Sequence, residues 1–136
     1  MIVLDEQLKN ANVAEQIRQW YHGRVVPITT LRPATVIKDD AIPILLRQVV
    51  APTFVTINTT DFWQQMAASK EYCLACFPLT DDRVDEISPL LRRLFRFTEF
   101  KTKQARCGKI ALVSHANVQY YQGHPIKLYR LAWPVQ

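Results

Sequence analysis

Short apolar segments alternate with helix-like segments along the first 113 residues, and this alternation constrains the fold more than any other feature. Runs rich in Val, Ile, Phe and Tyr predict strands, whereas apolar residues spaced three or four apart predict amphipathic helices. Strands and helices in regular alternation predict a mostly parallel sheet with right-handed crossover connections. The sequence therefore predicts an α/β fold.

Strands are predicted at residues 2–4, 25–29, 54–57, 72–77 and 109–113. Helices are predicted between them at residues 13–21, 42–49, 61–68 and 80–96. The last of these is expected to break at Ser88-Pro89, with Ser88 capping its second part. Residues 118–121 and 126–133 then predict a β-hairpin around Gln122-Gly123-His124-Pro125.

The length of 136 residues, with 49% hydrophobic and 21% charged residues, predicts one globular domain. Residues 1–113 would form its α/β core and residues 114–136 a C-terminal hairpin extension. Two interpretations of the hairpin remain open, because its aromatic residues either form a homodimer surface or cover the edge of the sheet. These residues are Tyr120, Tyr121, Tyr129 and Trp133.

The sequence predicts a cytoplasmic protein with no membrane association. No segment approaches the ~20 apolar residues needed to cross a bilayer. The start, Met-Ile-Val-Leu-Asp, lacks the basic residues and cleavage site of a signal peptide. Three cysteines argue against a disulfide framework, and Cys73 and Cys76 fall in a predicted strand, where they are expected to be inert core residues.

Polar side chains follow two of the predicted strands. Asp5 ends the first strand, and the segment Asn58-Thr59-Thr60-Asp61 follows Phe54-Val55-Thr56-Ile57. Parallel strands end at the same edge of a sheet, which is where open α/β sheets bind ligands. Asp5, Asn58 and Asp61 are therefore expected to meet there, and Asp39-Asp40 would join them from the start of the second helix.

Carboxylates gathered in this way repel one another, and a divalent cation relieves the repulsion. Asp, Asn and Thr oxygens suit Mg²⁺ or Mn²⁺ rather than Zn²⁺. Such an ion supports in-line attack on a phosphate, so the pattern favours metal-assisted cleavage of nucleic acid. Local roles explain these positions too: Asp39, Asp40 and Asp61 suit helix starts, and Asn58 suits a turn.

Positive charge is concentrated in the second half of the chain. The net charge is +5, and the acidic and basic residues of 1–62 cancel. The predicted nucleic-acid-binding residues lie between positions 92 and 106, where only Glu99 opposes them: Arg92, Arg93, Arg96, Lys101, Lys103 and Arg106. A basic cluster of this kind suits RNA or another polyanion, and it equally suits a solvated surface.

Three segments resemble the PIN-like superfamily, in particular its small stand-alone members. They are Ile-Val-Leu-Asp-Glu-Gln-Leu at the start, the helix start at Asp39-Asp40, and Phe-Val-Thr-Ile-Asn-Thr-Thr-Asp-Phe in the middle. The resemblance implies a three-layer sandwich with a mostly parallel central sheet. It also implies a ribonuclease with an acidic Mg²⁺ or Mn²⁺ site, and many family members are toxins paired with an antitoxin.

Carried over to this chain, the resemblance implies catalytic roles for Asp5, Asp40 and Asp61. The implied metal ligands are Asp5, Asp39, Asp40, Asn58 and Asp61, supported by Thr56 and Glu6.

Two departures from the family pattern point to an alternative. Asn58 stands where the family usually has a carboxylate, and an insertion at Thr59-Thr60 moves Asp61 one residue further along. A catalytically degenerate module that binds nucleic acid or a protein partner is therefore a second hypothesis. A phospho-receiver domain is a third, although its acceptor aspartate would be replaced by Asn58.

Overall fold

The computed structural model describes residues 1–9, 11–32, 37–123 and 127–135. Within these residues, seven strands form one sheet in the order β2-β1-β3-β4-β5-β6-β7. The strands are β1 (Ile2–Leu4), β2 (Val25–Pro27), β3 (Thr53–Thr56), β4 (Cys73–Cys76), β5 (Lys109–Val113), β6 (Asn117–Gln122) and β7 (Lys127–Ala132). Strands β1 to β5 are parallel, and β6 and β7 continue the sheet in antiparallel pairing. The predicted α/β fold with a mostly parallel sheet and a C-terminal hairpin is confirmed.

Five short α-helices connect the strands of the described ranges. They are α1 (Val13–Arg18), α2 (Ile42–Leu46), α3 (Thr59–Phe62), α4 (Ile87–Leu94) and α5 (Lys103–Arg106). Single 3₁₀ turns at Glu6–Leu8 and Asp39–Ala41 precede α1 and α2, and a longer 3₁₀ segment at Asp81–Glu86, kinked at Arg83, precedes α4. All but α4 have six residues or fewer, so packing on the sheet, rather than helix propensity, stabilises them.

Several boundaries differ from the predicted ones for local reasons. β2 ends at Pro27, because proline cannot donate a ladder hydrogen bond, and a 3₁₀ turn follows at Ile28–Thr30. The third helix begins at Thr59 rather than Asp61, because the side chain of Asn58 caps it. It ends early, since Gln64 has a positive φ of 62°.

The predicted break at Ser88-Pro89 is wrong. Non-helical backbone occurs earlier, at Arg83, and α4 starts at Ile87 with Glu86 as its N-cap. Pro89 falls in the first turn of α4, where its missing N–H costs no hydrogen bond. The hydroxyl of Ser88 does not cap the helix but accepts a hydrogen bond of 2.8 Å from the indole Nε1 of Trp20. The predicted hairpin turn includes His124 and Pro125, which lie outside the described residues.

Apolar side chains are buried on both faces of the sheet. Successive residues of β1 alternate between two core clusters: Ile2 and Leu4 belong to one, and Val3 belongs to the other. The first cluster contains the inward residues of α1 and α4, and the second contains those of α2 and α3. Burial on both faces explains why the parallel strands are apolar throughout rather than alternating. Cys73 and Cys76 are buried as predicted.

The hairpin is part of the same core. Tyr120 and Tyr121 of β6 are 5% and 2% exposed, and the ring of Tyr120 packs edge-on against Phe100 and stacks on Tyr129.

Across the described part of the chain, no helix combines the length and the apolar character needed to span a bilayer.

The strand order positions a crevice at one end of the sheet. The chain moves from β1 outward to β2 and then returns to the other side of β1 to form β3. The order β2-β1-β3-β4-β5 is a common doubly wound arrangement, and its direction reverses between β1 and β3. Ligands in such sheets bind beyond the carboxyl ends of the strands at this switch point.

Candidate functional site

The ends of β1 and β3 are joined through the side chain of Asp5. The parallel register pairs Leu4 with Val55, so that Asp5 and Thr56 come next on neighbouring strands. The hydroxyl of Thr56 donates a hydrogen bond of 2.7 Å to Oδ2 of Asp5. The backbone N–H of Glu6 donates one of 2.8 Å to Oδ1. Both carboxylate oxygens of Asp5 are therefore oriented at the switch point.

Asp5 is only 7% exposed. Burial raises the pKa of its carboxyl, and the hydrogen bonds from Thr56 and Glu6 offset only part of that increase. The charge of Glu6 raises the pKa slightly further. No basic residue within the described ranges lies within ion-pair distance of this carboxyl. Asp5 is thus a buried carboxylic acid without a basic counter-ion among the described residues.

Asn58 organises the end of β3. Its backbone N–H donates a hydrogen bond of 2.9 Å to Oγ1 of Thr56. Its side-chain oxygen accepts a hydrogen bond of 3.2 Å from the backbone N–H of Asp61, which caps α3. Its amide Nδ2 donates one of 2.8 Å to Oδ2 of Asp61. The amide therefore forms the turn, as the sequence suggested, and it also fixes the carboxylate of Asp61.

Asp39 approaches the same edge from the 3₁₀ turn before α2. Partial loss of hydration raises the pKa of its carboxyl, followed in effect by a hydrogen bond with Asp61 and by the charge of Asp61. The charges of Asp5 and Asp40 raise that pKa further. Asp5 and Asp61, which come from separate parts of the chain, therefore both lie near enough to Asp39 for their charges to raise its pKa.

Asp40 and Glu6 lie beside this group in different ways. Asp39 and Asp40 are both exposed in this turn, and Asp39 is the one whose pKa Asp61 raises. Oε1 of Glu6 accepts a hydrogen bond of 3.4 Å from the backbone N–H of Ile37, and so links the end of β1 to the segment that leads into Asp39. Glu6 thus bridges these two segments, and its supporting role at a metal site stays a prediction.

The side chains as they lie do not form a closed metal site. Among the residues that the structure describes, no three His, Cys, Asp or Glu side chains form a group that could hold a metal ion.

An open cavity of about 380 Å³ adjoins this edge. Gln7, Asn58, Leu79 and Asp81 are among its lining residues. Asp81 falls at the start of the helix predicted at residues 80–96 and is not among the predicted site residues. Its position shortly after β4 is the signal that it lies at the same edge, because every parallel strand ends there.

The predicted nucleic-acid-binding residues divide into two groups. Arg92, Arg96, Lys101 and Lys103 are exposed, and Arg93 is half-buried with its guanidinium 4.3 Å from the centroid of the Trp133 ring. Arg93 and Arg96 line two depressions together, and Arg92 lines one of them.

Arg106 forms the other group. It is 6% exposed, its Nη1 donates hydrogen bonds to the carbonyls of Phe100 and Lys101, and its guanidinium lies 4.0 Å from the Phe95 ring centroid. Burial lowers its pKa. The prediction that Arg106 contacts nucleic acid is corrected, because its charge is enclosed by the loop that it holds together.

The fold and its edge define a class: an α/β protein with a mostly parallel sheet whose β1/β3 switch point gathers carboxylates. No protein-family model, no curated protein and no solved structure matches this chain.

Proposed function

We propose that this chain is a Mg²⁺- or Mn²⁺-dependent ribonuclease with the three-layer arrangement of the PIN-like superfamily. The observation that carries the proposal is the placement of three carboxylates at the edge beside the β1/β3 switch point. Thr56 orients Asp5, and Asn58 orients Asp61. Burial, followed by Asp61 and then Asp5, raises the pKa of Asp39. A cytoplasmic location, where RNA is the abundant phosphodiester, is part of the same proposal.

The donor chemistry fits a hard divalent cation. The polar side chains Asp5, Asp39 and Asp61 offer oxygen, and the pKa of Asp39 is raised by burial and then by like charges that a cation would relieve. Mg²⁺ typically uses one or two carboxylates and completes its coordination with water and substrate phosphate, so a closed protein cage is not required. Asp5, Asp39 and Asp61 would have to come closer together than they lie here to hold the ion, since no three such side chains of the described residues form a metal-holding group. Asp39, Asp40 and Asp61 are all exposed, so their carboxylates have room to turn towards a bound cation. The ion would lower the pKa of a bound water and neutralise charge on the phosphate.

The chain's own residues determine when the site accepts a cation. Thr56 and the N–H of Glu6 orient Asp5, and Asn58 orients Asp61. Because the pKa values of Asp5 and Asp39 are raised, protons compete with the cation at these two carboxyls. Activity should therefore fall as the pH decreases through those raised pKa values.

Cleavage of a fluorescently labelled single-stranded RNA, with Mg²⁺, Mn²⁺ or EDTA, tests the proposal. The wild type is compared with Asp5→Asn, Asp61→Asn and the control Glu15→Gln, which removes an exposed carboxylate from α1. We expect metal-dependent cleavage that falls at least about a hundredfold in both Asp variants and is unchanged in the control. Absence of cleavage with either ion, or equal cleavage by purified Asp5→Asn, would refute the ribonuclease.

A specific observation also favours a second candidate, the catalytically degenerate binding module. Asn58 gives the site one carboxylate fewer, and its amide is already engaged with Asp61. This candidate predicts RNA or protein binding that survives Asp5→Asn, with no cleavage by the wild type. Under it, Asn58→Asp should increase affinity for Mn²⁺, which calorimetry would measure.

The toxin and receiver hypotheses have their own tests. A toxin should arrest growth when expressed and should lose this effect in Asp5→Asn, and its antitoxin would be the protein partner. The strand order β2-β1-β3-β4-β5 is also that of receiver domains, which is a likeness of fold alone. Asn58 has no carboxylate to accept a phosphoryl group, so labelling by a small phosphodonor such as acetyl phosphate should fail.

A further inference from the structure

A groove of about 400 Å³ lies between α1 and α4, on the face of the sheet that these helices cover. Gln16 and Trp20 line it from the α1 side, and Ser88, Arg92 and Arg96 line it from the α4 side. The acidic edge described above is formed by other residues, so the groove is a separate feature. Its volume is within the range of small-ligand sites.

The α4 side of the groove carries cations without acidic partners. Arg92 and Arg96 are exposed, and neither makes an ion pair with any residue that the structure describes. Arg93 is held against Trp133, whose ring in turn stacks on Phe97 at 5.4 Å. The acidic residue that lines the groove is Asp85, which precedes α4. An anion would therefore be attracted to the arginine end.

A second depression extends the positive rim. It has a volume of about 170 Å³ and is lined by Arg93, Arg96, Phe97 and Pro134. The arginines stand between the two depressions, so a chain of phosphates could cross from one to the other without leaving the cations. Such a track suits a linear polyanion better than an isolated ion.

The α1 side supplies a fixed aromatic wall. The Nε1–H of Trp20 donates a hydrogen bond to Ser88, and the ring packs edge-on against Phe95 at 5.8 Å and Tyr21 at 6.1 Å. These contacts prevent the indole from rotating, while the residue remains half-buried and borders the groove. A rigid aromatic wall is what single-stranded nucleic-acid sites use to stack a base.

The side-chain oxygen of Gln16 lacks a hydrogen-bond donor among the described residues. This atom, Oε1, is buried. Unsatisfied buried oxygens are rare in folded proteins, because each costs free energy that a donor would recover. Gln16 lines the groove, and a turn of its side chain would bring this oxygen to a donor there, such as a ring N–H or an exocyclic amino group of a base.

We propose that this groove binds one unstacked nucleotide of single-stranded RNA. The base lies against Trp20 with an N–H directed to Oε1 of Gln16, and Arg92 and Arg96 bind the flanking phosphates. The choice of RNA rests on the proposed function; the groove itself does not depend on cleavage. Duplex RNA keeps its bases stacked, and an acidic peptide would engage the arginines without giving the indole a planar partner.

Fluorescence anisotropy with a labelled 12-nucleotide single-stranded RNA tests the site. EDTA is present throughout, so that no cleavage occurs. The variant Arg92→Gln/Arg96→Gln is compared with Lys70→Gln/Lys127→Gln, which removes the same charge from exposed positions that line a different cavity. We expect the arginine variant to bind at least about tenfold more weakly and the lysine variant to change by less than about threefold. The slope of log affinity against log salt should decrease by about 1.4 in the arginine variant.

Gln16→Met removes the buried oxygen without removing charge. We expect affinity to fall about three- to fivefold with an unchanged salt slope, because a neutral hydrogen bond is lost. The proposal is overturned if the arginine and lysine variants weaken binding equally. It is also overturned if a 12-base-pair RNA duplex or polyglutamate binds as tightly as the single strand.

The same variants separate this proposal from the ribonuclease. If cleavage depends on Asp5 but RNA binding does not depend on Arg92 and Arg96, the groove proposal is refuted and the ribonuclease proposal is supported. Single-strand binding that depends on Arg92 and Arg96, in a protein that cleaves no RNA, would support the groove and refute the ribonuclease.

Discussion

Thr56 and Asp5, which are 51 residues apart in the sequence, are joined by a hydrogen bond of 2.7 Å between Oγ1 and Oδ2. The bond fastens the ends of β3 and β1 beside the point where the strand order reverses. Oγ1 of Thr56 also accepts the backbone N–H of Asn58, so one hydroxyl links the first acid to the turn that holds Asp61. This side chain is the structural centre of the candidate site.

Thr56→Val should destabilise the protein by about 1.5–3 kcal/mol at pH 7, the usual contribution of a hydrogen bond to a charged group. The hydroxyl lowers the pKa of Asp5, so its removal should raise that pKa further. The loss should therefore be larger at neutral pH than in acid, where the carboxyl is protonated. Urea unfolding at several pH values measures it, with Thr53→Val on the same strand as a control whose effect should not depend on pH.

Asp5→Asn should stabilise the folded protein at neutral pH by roughly 0.5–2 kcal/mol, the usual range for a stabilising substitution. The folded-state pKa of Asp5 is raised, so its contribution to stability is fully present below its ordinary pKa of 3.8 and is lost as the pH rises through the raised value. Thermal unfolding from pH 3 to pH 8 should show the advantage of the variant appearing as the pH rises. Under the proposed function, Mg²⁺ should stabilise the wild type but not Asp5→Asn.

Asp85→Asn is the matched control for this substitution, because it neutralises an exposed carboxylate away from the acidic edge. Its effect should stay within about 0.5 kcal/mol. An Asp5→Asn variant that is less stable than the wild type at pH 7 would show that the carboxylate is better accommodated than its burial indicates.

Arg106→Met should cost about 1–3 kcal/mol of stability, because two buried carbonyls lose their donor. RNA affinity of the folded protein should stay within about twofold of the wild type, since the guanidinium is enclosed. Urea unfolding and RNA-binding anisotropy measure the two effects. Arg96→Gln should give the reverse result, with stability nearly unchanged and affinity reduced.

Glu86→Gln should remove a pH-dependent contribution to stability. Glu86 accepts hydrogen bonds from Arg83, with a further one at 2.5 Å to His115, and together they lower its pKa to about 2. A lowered folded-state pKa means that the contribution is present above the ordinary value of 4.5 and is lost as the pH falls towards about 2. Melting temperatures of the two proteins should therefore differ above pH 5 and converge near pH 2.

A thiol reagent should label the folded protein at Cys107 before the other cysteines. Cys73 and Cys76 are buried, and burial raises the pKa of Cys73 to about 12 and that of Cys76 still further. Cys107 is partly exposed, although its pKa is also raised by burial. Mass spectrometry after brief labelling at pH 8 should find at most one modified thiol, and Cys107→Ser should show none until denaturant is added.

The strands were predictable because buried parallel strands leave a clear apolar signature. β1 and β5 have the predicted boundaries, and the two strands of the hairpin differ from prediction only at their ends. The helices were less predictable, because their short lengths depend on packing and on caps such as Asn58. The alternation of strands and helices does not specify the order of strands in the sheet. After β2 has paired with β1, β3 can pair with the free side of β1 or with β2, and the sequence pattern does not distinguish the two.

The site was predictable where it follows from strand ends and unpredictable where it depends on side-chain direction. Asp5 and the turn that holds Asp61 lie at the same edge because every parallel strand ends there. A charge count could not separate buried Arg106 from exposed Arg96, because both occur in the same basic segment. The preference for Asp39 over Asp40 at Asp61 likewise depends on the rotation of one 3₁₀ turn.

The hairpin has a consequence for any shortened form of this protein. β6 pairs with every residue of β5, and Tyr120 and Tyr121 fill both faces of the sheet beside β5. A chain truncated at residue 113 would keep the pairing of β5 with β4, but the β5 backbone groups that pair with β6 would lose their hydrogen-bond partners. The apolar surface that Tyr120 and Tyr121 cover would also be exposed to water. Such a fragment would expose an unpaired edge strand and should aggregate, even though it keeps Asp5, Asp39 and Asp61.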